Sequence, residues 1–313
     1  MSAHAATPPS LSLHRSIVAP DYLLSLALSP DGRWVACTSY DERVHIRDTG
    51  SLELVKSVRV GKRPGALAFS PDSKLLVAGA STLAAFATGT WKKTGTYKGH
   101  RRQVACAAFS MDGSRVFGGG HSDVSPYDNS VRAWDVATAQ ELGRWEARGS
   151  VCALAAAPDG SALAVATQSG QIMSLDPVTL EPRWQGSPDR WTNTLRFSPS
   201  GRLYGTSSDQ LLFEIDVATG ASRQILPATR YGADLAISPD GALAFIAVAH
   251  GGDPQGSFIG AVDIEAQQIV STHPLSSAIP GGIAVAPDGR RAFVIQRSPD
   301  ALLVFEVQGG SPR

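Results

Sequence analysis

A four-residue turn, Ser/Ala-Pro-Asp-Gly with small variations, occurs seven times in this chain and constrains its fold more than any other feature. The third residue of each copy stands at position 31, 72, 112, 159, 200, 240 or 288, so successive copies are 40 to 48 residues apart. Proline fixes φ and Asp-Gly favours a tight turn, so each copy predicts a turn between two strands. Spacing of this size is typical of a repeat that contains four strands.

Similar strands surround every turn. The segment before it is short and apolar, such as "ALAFS", and the segment after it, such as "KLLVAGA", is apolar at nearly every position. A strand of the second kind is expected to be buried on both faces. A third strand such as "SVRAWD" follows, and a fourth, more polar one such as "ELGRWEA" suits an exposed sheet edge.

The seventh unit lacks its fourth strand, because the chain ends soon after "ALLVFEV". An unassigned strand-like segment, Ser10 to Val18, precedes the first unit. We expect this segment to complete the last unit, since a closed ring leaves no long sheet edge exposed. The predicted fold is all-β: a seven-bladed β-propeller of four-stranded antiparallel blades, closed by the N-terminal strand. Residues 10–313 are expected to form this single domain and residues 1–9 a flexible tail.

The third unit resembles a blade of the WD-repeat family. It has Gly99-His100, the "FSMDG" turn and Trp134-Asp135 in order. The second and seventh units are similar to the YVTN-type propeller repeats of bacteria, and the whole resemblance covers roughly residues 10 to 307. Only the third unit has both Gly-His and Trp-Asp, and the fifth turn has Ser200 where Asp is expected. The resemblance is specific for the fold and less so for function, since propellers serve many unrelated roles.

The resemblance implies a structural hydrogen-bond network formed by His100, Asp128 and Trp134, with a Ser or Thr near Gly118 to Ser122. The spacing of aspartates favours the same interpretation. Asp128 lies seven residues before Asp135, and the same interval separates two further pairs, Asp41–Asp48 and Asp209–Asp216. A catalytic residue need occur only once, whereas a turn residue recurs from blade to blade.

Composition excludes several classes of protein. The 28 basic and 28 acidic side chains cancel, which argues against a dedicated nucleic-acid binder or a membrane-surface protein. The three cysteines stand in apolar segments without the close spacing of a zinc site, and no phosphate-loop, dinucleotide or hydrolase motif occurs. We predict no metal and no cofactor. The N-terminus is a poor secretion signal and no apolar stretch approaches a membrane span, so the predicted location is cytoplasmic.

Two insertions lengthen the connection between strands two and three. They are residues 121–129, which include His121, Ser122 and Asp123, and residues 249–257, which include His250 and Asp253. Each is either a tolerated surface loop or a contact for a ligand or partner. Neither has the fixed spacing of a metal site.

The connections that lead into strand one carry a recurrent pattern. When the units are aligned on their turns, the second to sixth blades each place a basic residue at or next to the position ten residues upstream, and aromatic residues stand beside some of them. This rim is either a solvated surface without a binding function or a site for a partner or a small anionic ligand; its residue types are enriched in interface hot spots. The basic and aromatic positions, which we call the crown, are Tyr22, Lys62, Arg63, Arg102, Arg148, Arg190, Trp191, Arg230 and Tyr231.

Two functions are compatible with this sequence. The first is a non-catalytic propeller that binds a protein partner or acidic peptide on the face carrying the crown, which is also the usual partner-binding face implied by the WD-repeat resemblance. The alternative is a propeller enzyme of the lactonase or lyase type, or a binder of a small anion, with a site over the central channel. In that case Arg102, Arg190 and Arg230 orient an anionic group, and His121 or His250 transfers a proton.

Overall fold

A computed structural model confirms the predicted seven-bladed β-propeller. It describes residues 9–122, 128–186, 191–208, 210–227, 231–249, 256–275 and 279–309. Seven four-stranded antiparallel sheets follow one another along the chain. Blade 1 consists of β2 (Leu23–Leu28), β3 (Trp34–Ser39), β4 (Arg43–Asp48) and β5 (Leu54–Arg59), and blade 2 of β6 (Ala66–Phe69), β7 (Leu75–Gly79), β8 (Leu83–Ala87) and β9 (Lys93–Tyr97). Blade 3 consists of β10 (Gln103–Phe109), β11 (Arg115–His121), β12 (Ser130–Asp135) and β13 (Glu141–Glu146). Blade 4 consists of β14 (Val151–Ala156), β15 (Leu163–Thr167), β16 (Ile172–Leu175) and β17 (Pro182–Gly186).

The remaining sheets complete the ring. They are blade 5, with β18 (Thr192–Phe197), β19 (Leu203–Ser207), β20 (Gln210–Ile215) and β21 (Ser222–Pro227); blade 6, with β22 (Tyr231–Ile237), β23 (Leu243–Ala249), β24 (Phe258–Asp263) and β25 (Gln268–Pro274); and blade 7, with β26 (Ile279–Val285), β27 (Arg291–Arg297), β28 (Ala301–Gln308) and β1 (Ser10–Val18).

The N-terminal strand closes the ring as the sequence predicts. β1 runs antiparallel to β28, with Ser10 opposite Gln308 and Val18 opposite Ala301. The backbone N–H of Ala19 continues the pairing by donating to the carbonyl of Asp300 at 2.9 Å. Blade 7 is therefore built from both ends of the described chain, and the first strand of blade 1 contacts those of blades 2 and 7.

Each recurrent turn links strand one to strand two through a left-handed residue. Gly32 has a φ of 73°, and Ser73 takes the equivalent place in blade 2 with a φ of 60°. The Ser73 hydroxyl accepts a hydrogen bond from the backbone N–H of Asp31 at 2.9 Å, so this departure from glycine joins two neighbouring turns. Within the first turn, the Ser29 hydroxyl donates to the carboxylate of Asp31 at 2.5 Å.

The hydrophobic core consists of clusters between neighbouring blades. One cluster joins blade 7 to blade 1, with Leu302 and Val304 packed beside Val35 and Leu23, and equivalent clusters fill the other interfaces of the ring. Strand two of each blade lies between two such clusters. This placement explains why β3 is buried at every position while the outermost strand β5 is mostly exposed.

Among the described residues there is no helix long and apolar enough to cross a membrane.

Candidate functional site

Blade 3 contains the His100–Asp128 part of the buried network that the WD-repeat resemblance implies. His100 Nδ1 lies 3.2 Å from both carboxylate oxygens of Asp128. The hydroxyl of Ser130 donates to Asp128 at 2.7 Å, and the backbone N–H of Arg101 donates to its other oxygen. Burial favours a raised pKa for Asp128, but the hydrogen bonds from His100, Ser130 and Arg101 outweigh it and hold the pKa well below its ordinary value. Since the His100 and Asp128 side chains are only 1% and 3% exposed, the network offers no surface to a ligand.

The hydroxyl of this network is not where the resemblance places it. It belongs to Ser130, beyond the expected segment 118–122. At Gly118 a Cβ atom would lie 3.0 Å from the Trp134 ring, so any larger residue there would force the indole or the backbone to shift. Trp134 Nε1 donates to the carbonyl of Lys98 at 2.8 Å and not to His100 or Asp128. His100 Nε2 has no hydrogen-bond partner within the described part of the chain.

The aspartate of the Trp-Asp pair has a local structural role. The backbone N–H and the hydroxyl of Thr138 donate to Asp135 at 2.8 and 2.7 Å, and these bonds lower the pKa of Asp135. Asp176 and Asp216 accept backbone hydrogen bonds in the same way in blades 4 and 5. These carboxylates close the turns between strands three and four, at the end of the propeller opposite the crown.

The cysteines are not poised for nucleophilic chemistry. Burial raises the pKa of both Cys37 and Cys152 to about 12, and it raises the pKa of Cys106 as well. A thiol with such a pKa stays protonated at neutral pH, whereas the thiolate is the reactive form. Over the ranges that the structure describes, no three side chains of His, Cys, Asp or Glu form a group that could hold a metal.

One end of the propeller carries the connections from strand four to strand one together with those from strand two to strand three, and we call it the top face. Backbone hydrogen bonds join the two kinds of connection. The backbone N–H groups of Tyr40, Gln168 and Ser208 donate to the carbonyls of Tyr22, Ser150 and Trp191, respectively, at 2.8 to 3.2 Å. Crown positions far apart in the sequence are thus brought to one end of the ring.

The described crown residues differ in exposure. Lys62, Arg63 and Arg148 are exposed, while Arg102 is half-buried. Arg63 has a φ of 52°, and its carbonyl accepts a hydrogen bond from the Gln103 side chain at 2.9 Å, so the connections into blades 2 and 3 touch. Arg190, Arg230 and the side chain of Tyr231 lie outside the described residues.

Trp191 is the most exposed aromatic residue of the described crown, with 49% of its surface accessible. It directly precedes β18, and its carbonyl accepts the backbone N–H of Ser208. The flanking backbone is therefore held in place while the indole faces solvent. An anchored, exposed tryptophan is the residue type that most often dominates binding energy at protein interfaces.

Sequence alignment of the units missed an aromatic and basic cluster on the top face between blades 7 and 1. The rings of Tyr22 and Tyr40 lie 5.1 Å apart, and the guanidinium of Arg297 lies 4.7 Å from the centre of the Tyr22 ring. Arg297 Nε also donates to the carbonyl of Leu23 at 3.2 Å. Tyr40 follows strand two of blade 1 and Arg297 ends strand two of blade 7, so the alignment of the connections into strand one covers neither.

The two insertions are only partly described. His121 ends β11, and its Nε2 lies 2.9 Å from the Gln168 side chain of blade 4. Ser122 is buried, and its N–H donates to the Ser150 hydroxyl at 3.1 Å. Residues 123–127 and 250–255, with Asp123, His250 and Asp253, lie outside the described residues.

The first strands of the blades enclose a central cavity of about 290 Å³. Its wall is formed by backbone and small side chains on several blades, such as Gly65, Ala105 and Gly282. Polar side chains are concentrated on blades 5 and 6, where Thr194, Arg196 and Asp234 line the cavity.

Residues 11–48 and 91–135 match the family described as WD domain, G-beta repeat. Each matched segment begins near the start of the outermost strand of one blade and ends with the third strand of the next. The sequence repeat is therefore offset by one strand from the structural blade. This offset is the reason that β1 is available to close blade 7.

The chain is also similar to two curated proteins. It is 29% identical to transcription factor unc-37 of Caenorhabditis elegans over 160 residues, which are 50% of this chain and 25% of the relative. It is 27% identical to protein groucho of Drosophila melanogaster over 208 residues, which are 64% of this chain and 28% of the relative. The alignments thus span about a quarter of the length of these relatives.

Proposed function

We propose that this propeller is a non-catalytic interaction module that binds an acidic segment of a protein partner on its top face. The observation that carries the proposal is the half-exposed Trp191 on a face that also displays Lys62, Arg63 and Arg148. An aromatic anchor on the same face as exposed cations suits a partner segment that carries both carboxylates and an apolar residue.

The rigid ring supports this function physically. The connections of the top face are tied to their neighbours by backbone hydrogen bonds, as at Tyr22 and Trp191. Loops that are already ordered lose little conformational entropy when a partner binds. The match to WD repeats agrees with an interaction role, whereas no described group of residues favours the lactonase-like or lyase-like alternative.

Other parts of the proposal extend beyond the comparisons. The roles of Arg190, Arg230 and Tyr231 rest on the aligned sequence positions. The cytoplasmic location, the YVTN-like character of the second and seventh units, and a single domain over 10–313 with a tail at 1–9 likewise remain predictions.

Charge reversal tests the basic part of the top face. We expect the double substitution Lys62→Glu/Arg63→Glu to weaken capture of the partner by about tenfold or more, because attraction becomes repulsion. Capture is measured with the purified protein as bait and then quantified with the isolated partner at two salt concentrations. Binding by the unaltered protein should weaken as salt rises, since exposed charges are screened.

The matched control is Lys92→Glu/Lys93→Glu. This pair makes the same change in net charge, but Lys92 and Lys93 lie exposed at the start of β9, on the opposite end of the propeller. The control should capture as much partner as the unaltered protein. Equal loss in both variants, or no loss in the top-face variant, would rule out this face as the binding surface.

A second substitution tests the aromatic anchor. We expect Trp191→Ala to weaken partner binding by about 2 kcal/mol, or roughly thirtyfold, as for a central hot-spot residue. Thermal unfolding should hardly change, because half of the indole surface is exposed. Val178→Ala is the control, since Val178 is 62% exposed at the opposite end. Unchanged affinity of the Trp191→Ala protein would contradict the role of Trp191.

A further inference from the structure

The first strand of blade 5 differs from the first strands of the other six blades at one aligned position. At the fourth residue before the third turn position, blade 5 has Arg196, whereas the other blades have Ala27, Ala68, Ala108, Ala155, Ala236 and Ala284. Since six blades have alanine at this position, an arginine is not needed there to build the blade. Arg196 lines the cavity and retains 40% exposure of its side chain.

The guanidinium of Arg196 is held in place but not saturated. Its Nη2 donates to Asp234 of blade 6 at 3.2 Å, and its Nη1 donates to the carbonyl of Leu195 at 2.9 Å. A guanidinium carries five N–H donors. Beyond these two contacts it therefore has further donors beside the cavity.

Asp234 is better satisfied than its partner. One oxygen accepts from Arg196, and the other accepts from the backbone N–H of Ile283 in blade 7 at 3.1 Å. Its side chain is only 14% exposed. The carboxylate thus orients the guanidinium, and the donors left at the cavity belong to Arg196.

The other groups on the wall favour an acceptor ligand. Thr194 and Ser25 line the cavity with hydroxyl groups. The thiols of Cys106 and Cys152 line it as well, and burial raises their pKa, so they are neutral and do not compete for the cation. Asn193 Nδ2 is used by the carbonyl of Gly232 at 2.7 Å.

We propose that the central cavity binds a small carboxylic acid, whose carboxylate accepts hydrogen bonds from Arg196. A planar guanidinium matches a carboxylate through paired, charge-assisted hydrogen bonds. The volume of about 290 Å³ lies at the lower limit of small-molecule sites and restricts the ligand to a compact acid. Because Asp234 neutralises part of the attraction, the expected dissociation constant is in the millimolar range.

Acetate, glycolate and malonate serve as probes. Each is titrated into the full-length protein, and binding is followed by the NMR signal of the Arg side-chain Nε–H groups and by thermal unfolding, with sodium chloride at equal ionic strength as the reference. At least one acid should shift one arginine signal saturably below about 50 mM, and chloride should not. No saturable shift by any of the three acids, or an equal shift by chloride, overturns the proposal.

Arg196→Ala identifies the binding residue. Alanine is the residue at this position in the other six blades, so the variant is expected to fold. Its affinity for the carboxylic acid should be about tenfold lower. Arg183→Ala is the control, because Arg183 also pairs with an aspartate, Asp176, at 2.7 Å but lies on the outer strand β17. The control should bind the acid normally. Equal binding by the Arg196→Ala protein overturns the proposal.

Two further measurements keep the test decisive. If Arg196→Ala does not fold, Arg196→Lys keeps the charge but loses the paired geometry, and it should weaken binding by about threefold; unchanged affinity overturns the proposal. The cavity and the top face are separate sites. Partner capture by Arg196→Lys or Arg196→Ala should therefore remain normal, so that failure of one proposal leaves the other standing.

Discussion

Removal of residues 1–18 should abolish cooperative folding of this propeller. The deletion takes away β1, the outermost strand of blade 7, and leaves β28 as an unpaired edge. Leu11 is buried in the interface between blades 6 and 7, where it packs in one cluster with Leu303 and Phe305. The pairing and burial supplied by β1 are on the order of 5–10 kcal/mol, which is comparable to the net stability of a whole domain.

The expected result is loss of the thermal transition and a larger hydrodynamic radius, measured by circular dichroism and size-exclusion chromatography. Deletion of residues 1–8 alone is the control, and it should leave both unchanged, since the described pairing begins at Ser10. A synthetic peptide of residues 9–20 should restore part of the transition. A protein lacking residues 1–18 that melts like the full chain would contradict closure by β1.

Asp128→Ala should lower the free energy of unfolding by about 3 kcal/mol. It removes the acceptor of His100, Ser130 and the Arg101 N–H, and these buried donors then lack a partner. The loss is measured by urea denaturation followed by tryptophan fluorescence, because the His100 ring contacts Trp134 at a centroid distance of 5.6 Å. Asp159→Ala is the control. Asp159 is fully exposed and accepts a hydrogen bond only within its own turn, so Asp159→Ala should lower the free energy of unfolding much less.

The same carboxylate predicts a dependence on pH. The hydrogen bonds of the folded protein outweigh burial and hold the pKa of Asp128 below its value of about 3.9 in the unfolded chain. A depressed pKa in the folded state gives stability that is present above about pH 4 and is lost as pH falls toward the folded pKa. The difference in stability between the unaltered protein and Asp128→Asn should therefore be largest at pH 7 and smaller at pH 3. A difference that grows on acidification would contradict the assignment of a charged Asp128.

Some of the candidate sites were visible in the sequence and others were not. Recurrent spacing singled out Asp128 and the crown because similar residues hold the same place in several repeats. Recurrent spacing did not reveal the Tyr22–Tyr40–Arg297 cluster, because Arg297 is more than 250 residues from Tyr40 and only ring closure brings them together. The sequence has Arg196 where the other blades have alanine, but only the structure shows that the Arg196 side chain lines the cavity.

The amino-acid sequence by itself determined the number of blades, the order of strands and the closing role of residues 10–18. These features follow from local turn chemistry and from strand polarity, which act within one repeat. Tertiary structure alone decided which hydroxyl serves Asp128, that Trp191 faces solvent, and that Arg196 and Asp234 meet in the cavity. The meeting of Arg196 and Asp234 depends on packing between blades 5 and 6, and contacts across a blade interface leave no fixed spacing in the chain.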